Sequence, residues 1–401
     1  MIGGYMKMTS RFALAAAASV LLGLAVTPAT AADLGAGKCC EDLEERVAEL
    51  EATTARKGNR VVSLQVYGQV NKALLIFDDG VDSDAFIVDN DQSGSRIGFK
   101  GTAQIKPGWT AGFLMELDIQ DSATDKISAR DDEGNANEIA IRQNYVYIES
   151  ERLGRISLGQ QSTAADGVNE IVLGNSLTDA SDIFGSFKVR VKAGGARDNV
   201  FSVGDFVDDL DGPRDDVIRY DSPSVYGFVV SASWGDNDYA DVALRFKKEW
   251  NSIRIAAGIA YAWDDREDVG REIVSGSASA MHIPTGLYVA FSAGNVEFDD
   301  GSKDGSFYYV QAGVEKKFLP YGSTTVYGDY GLYDGIGGAV VVNGVALNGA
   351  EAERWGFGIV QKLDSAAMEV YANARFYSFE DNANTNFEDF STLLIGSRIK
   401  F

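Results

Sequence analysis

Apolar and polar residues alternate with a period of two along most of the chain, and nothing else constrains the fold as tightly. In "STLLIGSRIKF", residues 391–401, Leu393, Ile395, Ile399 and Phe401 share one parity, while Thr392, Gly396, Arg398 and Lys400 hold most of the other. Successive side chains of a strand point to opposite faces, so this strand has one apolar and one polar face up to its last residue. "VVSLQVYGQVNKALLIF", residues 61–77, sets Val62, Leu64, Val66, Val70, Leu74 and Ile76 against Ser63, Gln65, Tyr67, Gln69 and Asn71. "SRIGFKGTAQIK" sets Ile97, Phe99, Ala103 and Ile105 against Arg96, Lys100, Thr102 and Gln104. The next stretch sets Trp109, Phe113, Met115 and Leu117 against Glu116 and Asp118. The pattern recurs from residue 138 to the end, which predicts about sixteen strands.

The connections alternate too. Short turns such as "KPGW", "SVYG", "PTG" and "LPYG" are interleaved with long acidic stretches such as "DDGVDSDAFIVDNDQ", "DDREDVGRE", "FDDGSKDG" and "EDNANTNFED". "GDND" is short where a long connection is due. An up-and-down antiparallel sheet places alternate connections at opposite ends, so one end has tight turns and the other long acidic loops. The polar faces carry Arg96, Glu116, Arg142, Arg219, Arg245, Arg254, Arg375 and Arg398 and cannot form a dry core. The opposite faces are apolar along nearly every strand, and no helical stretch after residue 60 is available to cover them. A closed antiparallel barrel with lipid outside and water inside satisfies both faces. Closure also leaves no strand-edge amides in hydrocarbon. The expected fold is therefore all-β, a transmembrane β-barrel. Trp109, Tyr145, Tyr147, Trp234, Trp250, Trp263, Tyr321 and Trp355 lie near strand ends, as interfacial aromatic girdles require.

Composition narrows the function. Asp plus Glu number 59 against 36 Lys plus Arg, a net charge of −23, so no basic footprint for nucleic acid exists. The one histidine, His282, has no G-x-S-x-G nucleophile context to serve, and a His-rich metal site is excluded. The expectation is a protein that is not an enzyme and needs no cofactor. The two cysteines, Cys39 and Cys40, are adjacent and leave the strands without disulfides; they could link chains, bind a metal or remain thiols. Residues 1–31 read as a signal peptide, with Lys7 and Arg11 before an apolar run from Phe12 to Val26 and Ala29-Thr30-Ala31 as the cleavage site. Residues 32–60 read as a short helical segment, coiled-coil-like, with Leu43, Val47, Leu50 and Thr54 on one seam. It either lies on the main body or joins copies of the chain. The barrel is expected over 61–401.

"CCEDLEERVAELEATTARKGNRVVSLQVYGQVNKALL", residues 39–75, looks like the opening of porins from alphaproteobacteria. Phe401 after strict alternation resembles the C-terminal signature of bacterial outer-membrane barrels, where it acts as an assembly signal. The chain as a whole resembles the trimeric porins of Gram-negative bacteria. That resemblance implies a sixteen-stranded barrel in outer-membrane lipid and lipopolysaccharide, a homotrimer, and passive diffusion of ions and small hydrophilic solutes. It also implies a third loop folded into the barrel. The matching connection is 162–215, the longest in the chain. Its first part carries Asp166, Glu170, Asp179 and Asp182 among apolar residues. Its later part departs from a simple acidic loop, with Lys188, Arg190, Lys192 and Arg197 before a cluster of Asp. The expected constriction combines the inward-parity Arg96, Arg142, Arg219, Arg254, Arg375 and Arg398, the wall carboxylates Glu116 and Asp118, and the four loop carboxylates. The rival reading is a substrate-selective channel.

Overall fold

A computed structural model describes residues 61–132, 139–192, 194–235, 238–266, 270–338, 340–342, 344–347 and 349–401. The expected signal peptide, the Leu43–Val47–Leu50 seam and both cysteines lie outside the described residues. The chain runs β1 (Gln65–Asp78), β2 (Ser83–Asp89), β3 (Arg96–Lys106), β4 (Trp109–Ile119), β5 (Ile139–Ser150), β6 (Gly154–Ser162), β7 (Arg214–Asp221) and β8 (Phe228–Gly235). It continues with β9 (Tyr239–Trp250), β10 (Ile253–Asp264), β11 (Arg271–His282), β12 (Leu287–Phe298), β13 (Gly305–Leu319) and β14 (Gly322–Asp334). A small hairpin, β15 (Val340–Val342) and β16 (Val345–Leu347), precedes β17 (Glu351–Leu363), β18 (Met368–Glu380) and β19 (Phe390–Lys400).

All strands except β15 and β16 form one 17-stranded sheet. It closes because β1 pairs antiparallel with β19, from Gln69 opposite Lys400 to Asp78 opposite Ser391. β2 and β3 share β1: β2 pairs with its loop-end half from Lys72 to Asp78, and β3 with Gln65 to Gln69. They are two halves of one stave interrupted at residues 90–95, so the barrel has sixteen staves. The structure corrects the long loop expected at 78–92. Asp79 N–H bonds Asp82 O at 3.0 Å in a tight turn, and β2 follows at once. The many aspartates there hide a strand in which Phe86 and Val88 pair with Leu75 and Ala73.

The outer wall follows the expected parity. Leu74, Ile87 and Ile395 lie in register, and the wall exposes Val146, Ile156, Leu158, Trp234, Ile259 and Phe357. An apolar belt of this extent marks a lipid face. The inner wall differs from a uniformly wet one. At the loop ends, inward-facing Leu75, Phe77, Phe307, Tyr333, Tyr377, Phe379 and Leu394 are buried. They pack with Ile183, Phe184, Phe187 and Phe206 of the 163–213 connection. Ring centroids lie 5.0 Å apart for Phe77 and Phe187, and 5.1 Å for Phe206 and Phe379. The longest connection is thus a folded insert with its own apolar core inside the barrel.

Candidate pore constriction

The insert leaves β6 at Ser162 and follows the inner wall from β9 toward β13. Ala165 N–H bonds Asp241 on β9 at 2.7 Å, Ile171 and Leu173 N–H bond Ser277 and Ser279 on β11, and Ser292 on β12 donates to Asn169 O at 2.7 Å. Asn175 N–H then bonds Glu315 on β13 at 3.0 Å. Close approach is possible because the inward residues of β10–β12 are small. A Cβ on Gly258 would stand 3.0 Å from the Ile171 side chain. The serines at 275, 277, 279 and 292 supply the hydrogen bonds that a strand-less backbone needs.

The tip is fixed by β17. Arg354, fully buried, donates to Asp179 O at 2.8 Å and Ser181 O at 2.7 Å. Its guanidinium lies 5.2 Å from the Tyr309 ring and 5.6 Å from the Tyr333 ring. Tyr333 donates to Ala180 O at 3.0 Å, and Tyr377 to Asp182 at 2.7 Å. Among the described residues, segment 164–182 makes no hydrogen bond to β3, β4 or β5. The insert covers the wall from β9 round to β19 and the loop-end half of β1, and the arc around β3–β7 is the one this segment leaves free.

That open arc is cationic. The register slips between Glu116 and Leu117, leaving Arg142 as the extra residue of a β-bulge. A bulge re-aims a side chain, and here Arg142 Nε comes 2.9 Å from Glu116. Arg96 lies 3.5 Å from the same carboxylate, which also accepts from Tyr67 at 2.9 Å. Arg219 donates to Thr163 O at 2.7 Å at the root of the insert and pairs with Asp221. Two further arginines belong to this group: Arg214, 3.5 Å from Asp166, and Arg245, which donates to Asp166 O at 2.7 Å. Arg245 was legible by its inward parity. Arg214 sits at the loop–strand junction, where parity carries no signal.

The other arginines lie elsewhere. Arg375, 1% exposed, sits behind the insert, 3.7 Å from Asp182 and 3.4 Å from Gln92. Arg254 pairs with Glu249 at 3.2 Å and Arg398 with Glu369 at 2.5 Å, both toward the tight-turn end. Among the carboxylates, Asp118 accepts from Gln120 at 3.1 Å on the open arc. Asp179 is half-buried against Gln92 and Ser181, and Asp182 is turned into the wall. Glu170 alone of the four is open to lumen water, although barrel surrounds it. The charge of Asp179 first, then enclosure and the charges of Asp209, Asp211 and Asp166, raise its carboxyl well above the usual range. Burial first, then Asp166, pushes Asp211 up to about 7. The later, basic part of the insert is tied to the loop end instead. Buried Arg190 reaches Asp79 and Asp82 at 3.2 Å and Asp198 at 3.0 Å, and Arg197 reaches Asp381 at 2.8 Å.

His282 lies beside the β11–β12 turn with Nδ1 2.8 Å from Thr285 Oγ1. Among the described residues no group of three or more His, Cys, Asp or Glu is placed to hold a metal ion.

Comparison with known proteins agrees with this architecture. The family model for Gram-negative porins matches residues 13–382. An anion-selective porin from Comamonas acidovorans shares the fold with a TM-score of 0.56 at 17% identity, over 85% of this chain and 100% of that one. OmpT of Vibrio cholerae in a trimer form gives 0.54 at 14% identity, over 85% and 100%. OmpF of Salmonella typhi in complex with daunomycin gives 0.54 at 14% identity, over 85% and 99%. Among curated protein sequences none matches. A closed sixteen-stave barrel, a long insert along its inner wall and a family match over most of its length give one conclusion: the chain belongs to the Gram-negative porin family.

Proposed function

We propose that this outer-membrane channel is a general diffusion pore for ions and small hydrophilic solutes, with a transverse field at its waist. The observation that carries this is the one-sided path of the insert. It supports a reading in which Glu170 faces, across the lumen water, an arc holding Arg96, Arg142 and Arg219, while Asp166 is paired at the root of the insert with Arg214 and Arg245 and Asp179 is half-buried at its tip. Opposite charges across a narrow aqueous gap orient dipolar solutes and penalise apolar ones, which must break ordered water without compensation. The other expected constriction residues take supporting roles: Glu116 and Asp118 hold the arc, Asp182 and Arg375 hold the insert, and Arg254 and Arg398 line the lower lumen. The pore is assigned no catalysis.

Around the barrel we place outer-membrane lipid and lipopolysaccharide, and further copies of the chain in a homotrimer. Lys72, of outward parity, is held by Asp89 at 2.7 Å and by Asp121. A charged group on this wall suits a subunit contact better than lipid. OmpT of Vibrio cholerae, which shares the fold, occurs in a trimer form. Export through the inner membrane would use residues 1–31, removed on arrival, with 32–60 on the periplasmic side.

The acidic loop end should make the pore weakly cation-preferring, because walls of one sign concentrate counter-ions. Zero-current potentials across a KCl gradient test this. A cation preference at 0.1 M that shrinks in Glu170→Lys is expected. Anion preference at low salt would overturn the assignment of the field. A steep preference for one solute class in liposome swelling would favour the substrate-selective reading.

A further inference from the structure

Charge inside the barrel is sorted along its axis. At the loop end, Asp78 to Asp91 includes six aspartates and no Lys or Arg. The arm from Asp205 to Asp211 and the connection from Asp381 to Asp389 add further carboxylates and no Lys or Arg of their own, and the insert's Arg190 and Arg197 offset only part of this acidity, through Asp79, Asp82, Asp198 and Asp381. The tight-turn half is the reverse. Its inward carboxylates are each already paired: Glu149 with Arg155 at 2.6 Å, Glu315 with Lys362 at 3.0 Å, and Glu249 and Glu369 with the arginines named above. Among the described residues, exposed inward lysines on regular strand positions are left over. Lys100 sits over the Tyr67 ring at 5.3 Å, Lys247 faces Ala256 across β9–β10, and Lys400 stands 3.6 Å from a Glu369 already taken by Arg398. An acidic mouth therefore opens onto a waist and then onto a basic vestibule.

We propose that the lumen is a bipolar conduit that passes more current when the loop side is positive. The proposal rests on the channel reading above and goes beyond it, because a transverse field alone gives no direction. The acidic mouth is filled with cations and the basic vestibule with anions. A loop-side positive potential drives both populations into the waist, where they accumulate and raise conductance. The opposite polarity draws both away and depletes it. The effect needs a Debye length comparable with the lumen, which holds at 0.1 M salt, about 10 Å, and fails at 1 M, about 3 Å.

The test is current at equal and opposite voltages through single oriented channels in a planar bilayer. Orientation is read by Ala383→Cys on the exposed loop end, in a chain with Cys39 and Cys40 replaced by serine. A bulky neutral maleimide in one chamber then marks which side the loops face. At 0.1 M KCl the loop-side-positive current should exceed the reverse by about 1.5-fold or more, and the ratio should fall to about 1 at 1 M. The triple variant Lys100→Gln, Lys247→Gln, Lys400→Gln should lose the asymmetry at 0.1 M and keep the wild-type conductance at 1 M. Symmetric currents at 0.1 M, or asymmetry of the opposite sign, would overturn the proposal while leaving the channel standing. Absence of any stepwise current from folded barrels would instead overturn the channel reading beneath it.

Discussion

Replacing Arg354 by methionine tests whether the insert is held by the wall or merely lies on it. The guanidinium is fully buried and makes two hydrogen bonds to the backbone carbonyls of Asp179 and Ser181, at 2.8 and 2.7 Å. Hydrogen bonds from a charged donor contribute about 1.5–3 kcal/mol each. Methionine also relieves the cost of burying a cation, so the two bonds are not lost in full. Asp329, 8% exposed, loses a neighbouring cation as well. A net loss of about 3 kcal/mol in the seating of the insert multiplies the unseated population by about 10². The barrel ladder is untouched, so the heat-induced unfolding of the purified barrel should move little. Single-channel records should show what changes. The variant should flicker between its main level and larger levels, and a protease should cut within 163–213 faster than in wild type. Arg354→Lys keeps the charge without the planar fork and should lie between the two. An Arg354→Met channel as quiet and as protease-resistant as wild type would refute the reasoning and show that the Phe184–Phe187–Phe390 cluster holds the insert unaided.

Ile259→Arg, on the outer wall at the middle of β10, should lower barrel stability by about 2–4 kcal/mol, whereas Glu170→Arg in the lumen should change selectivity with little loss; heat-modifiability on gels separates them, and equal losses would mean that the faces are misassigned. The carboxyls of Asp211 and Glu170 lie above their unfolded values, so the support they give to the seated insert is full in acid and is lost as pH rises, through about 7 for Asp211. Protease protection of the insert should therefore be stronger at pH 5 than at pH 8, and Asp211→Asn should flatten that dependence; an unchanged pH response would refute it. Gly286 turns β11 into β12 with φ of +73°, and a Cβ there would collide with Glu315 O, so Gly286→Val should reduce the yield of folded barrel in refolding assays.

Much of this fold is legible because a strand's period of two states which face each residue takes. Ile259 and Phe113 fall outside and Arg96 and Arg219 inside on that rule alone, whereas Arg142 shares the parity of outward Val146 and Ile148 and turns inward only through the bulge. Parity cannot say what the inside contains. Arg219 and Arg375 share inward parity, yet one borders open water and the other lies behind the insert, because the difference is set by where a connection of about fifty residues folds back. Phe77 and Phe379 also point inward, into an apolar core that only the tertiary fold creates. Composition misled at β2, where aspartates flank a short apolar run and mimic a loop. The role of Arg354 is hidden for a related reason. Its partners are backbone carbonyls more than 170 positions away, and backbone carbonyls leave no trace in a sequence.

A folded barrel of this architecture must conduct. Purified protein, shown by heat-modifiability to be folded, would be added to a planar bilayer in 1 M KCl and current followed at a fixed voltage. Discrete upward steps of uniform size, each persisting as an open water-filled path, are the predicted result. A folded, membrane-inserted barrel that leaves the bilayer silent would contradict it and show that the insert seals the lumen.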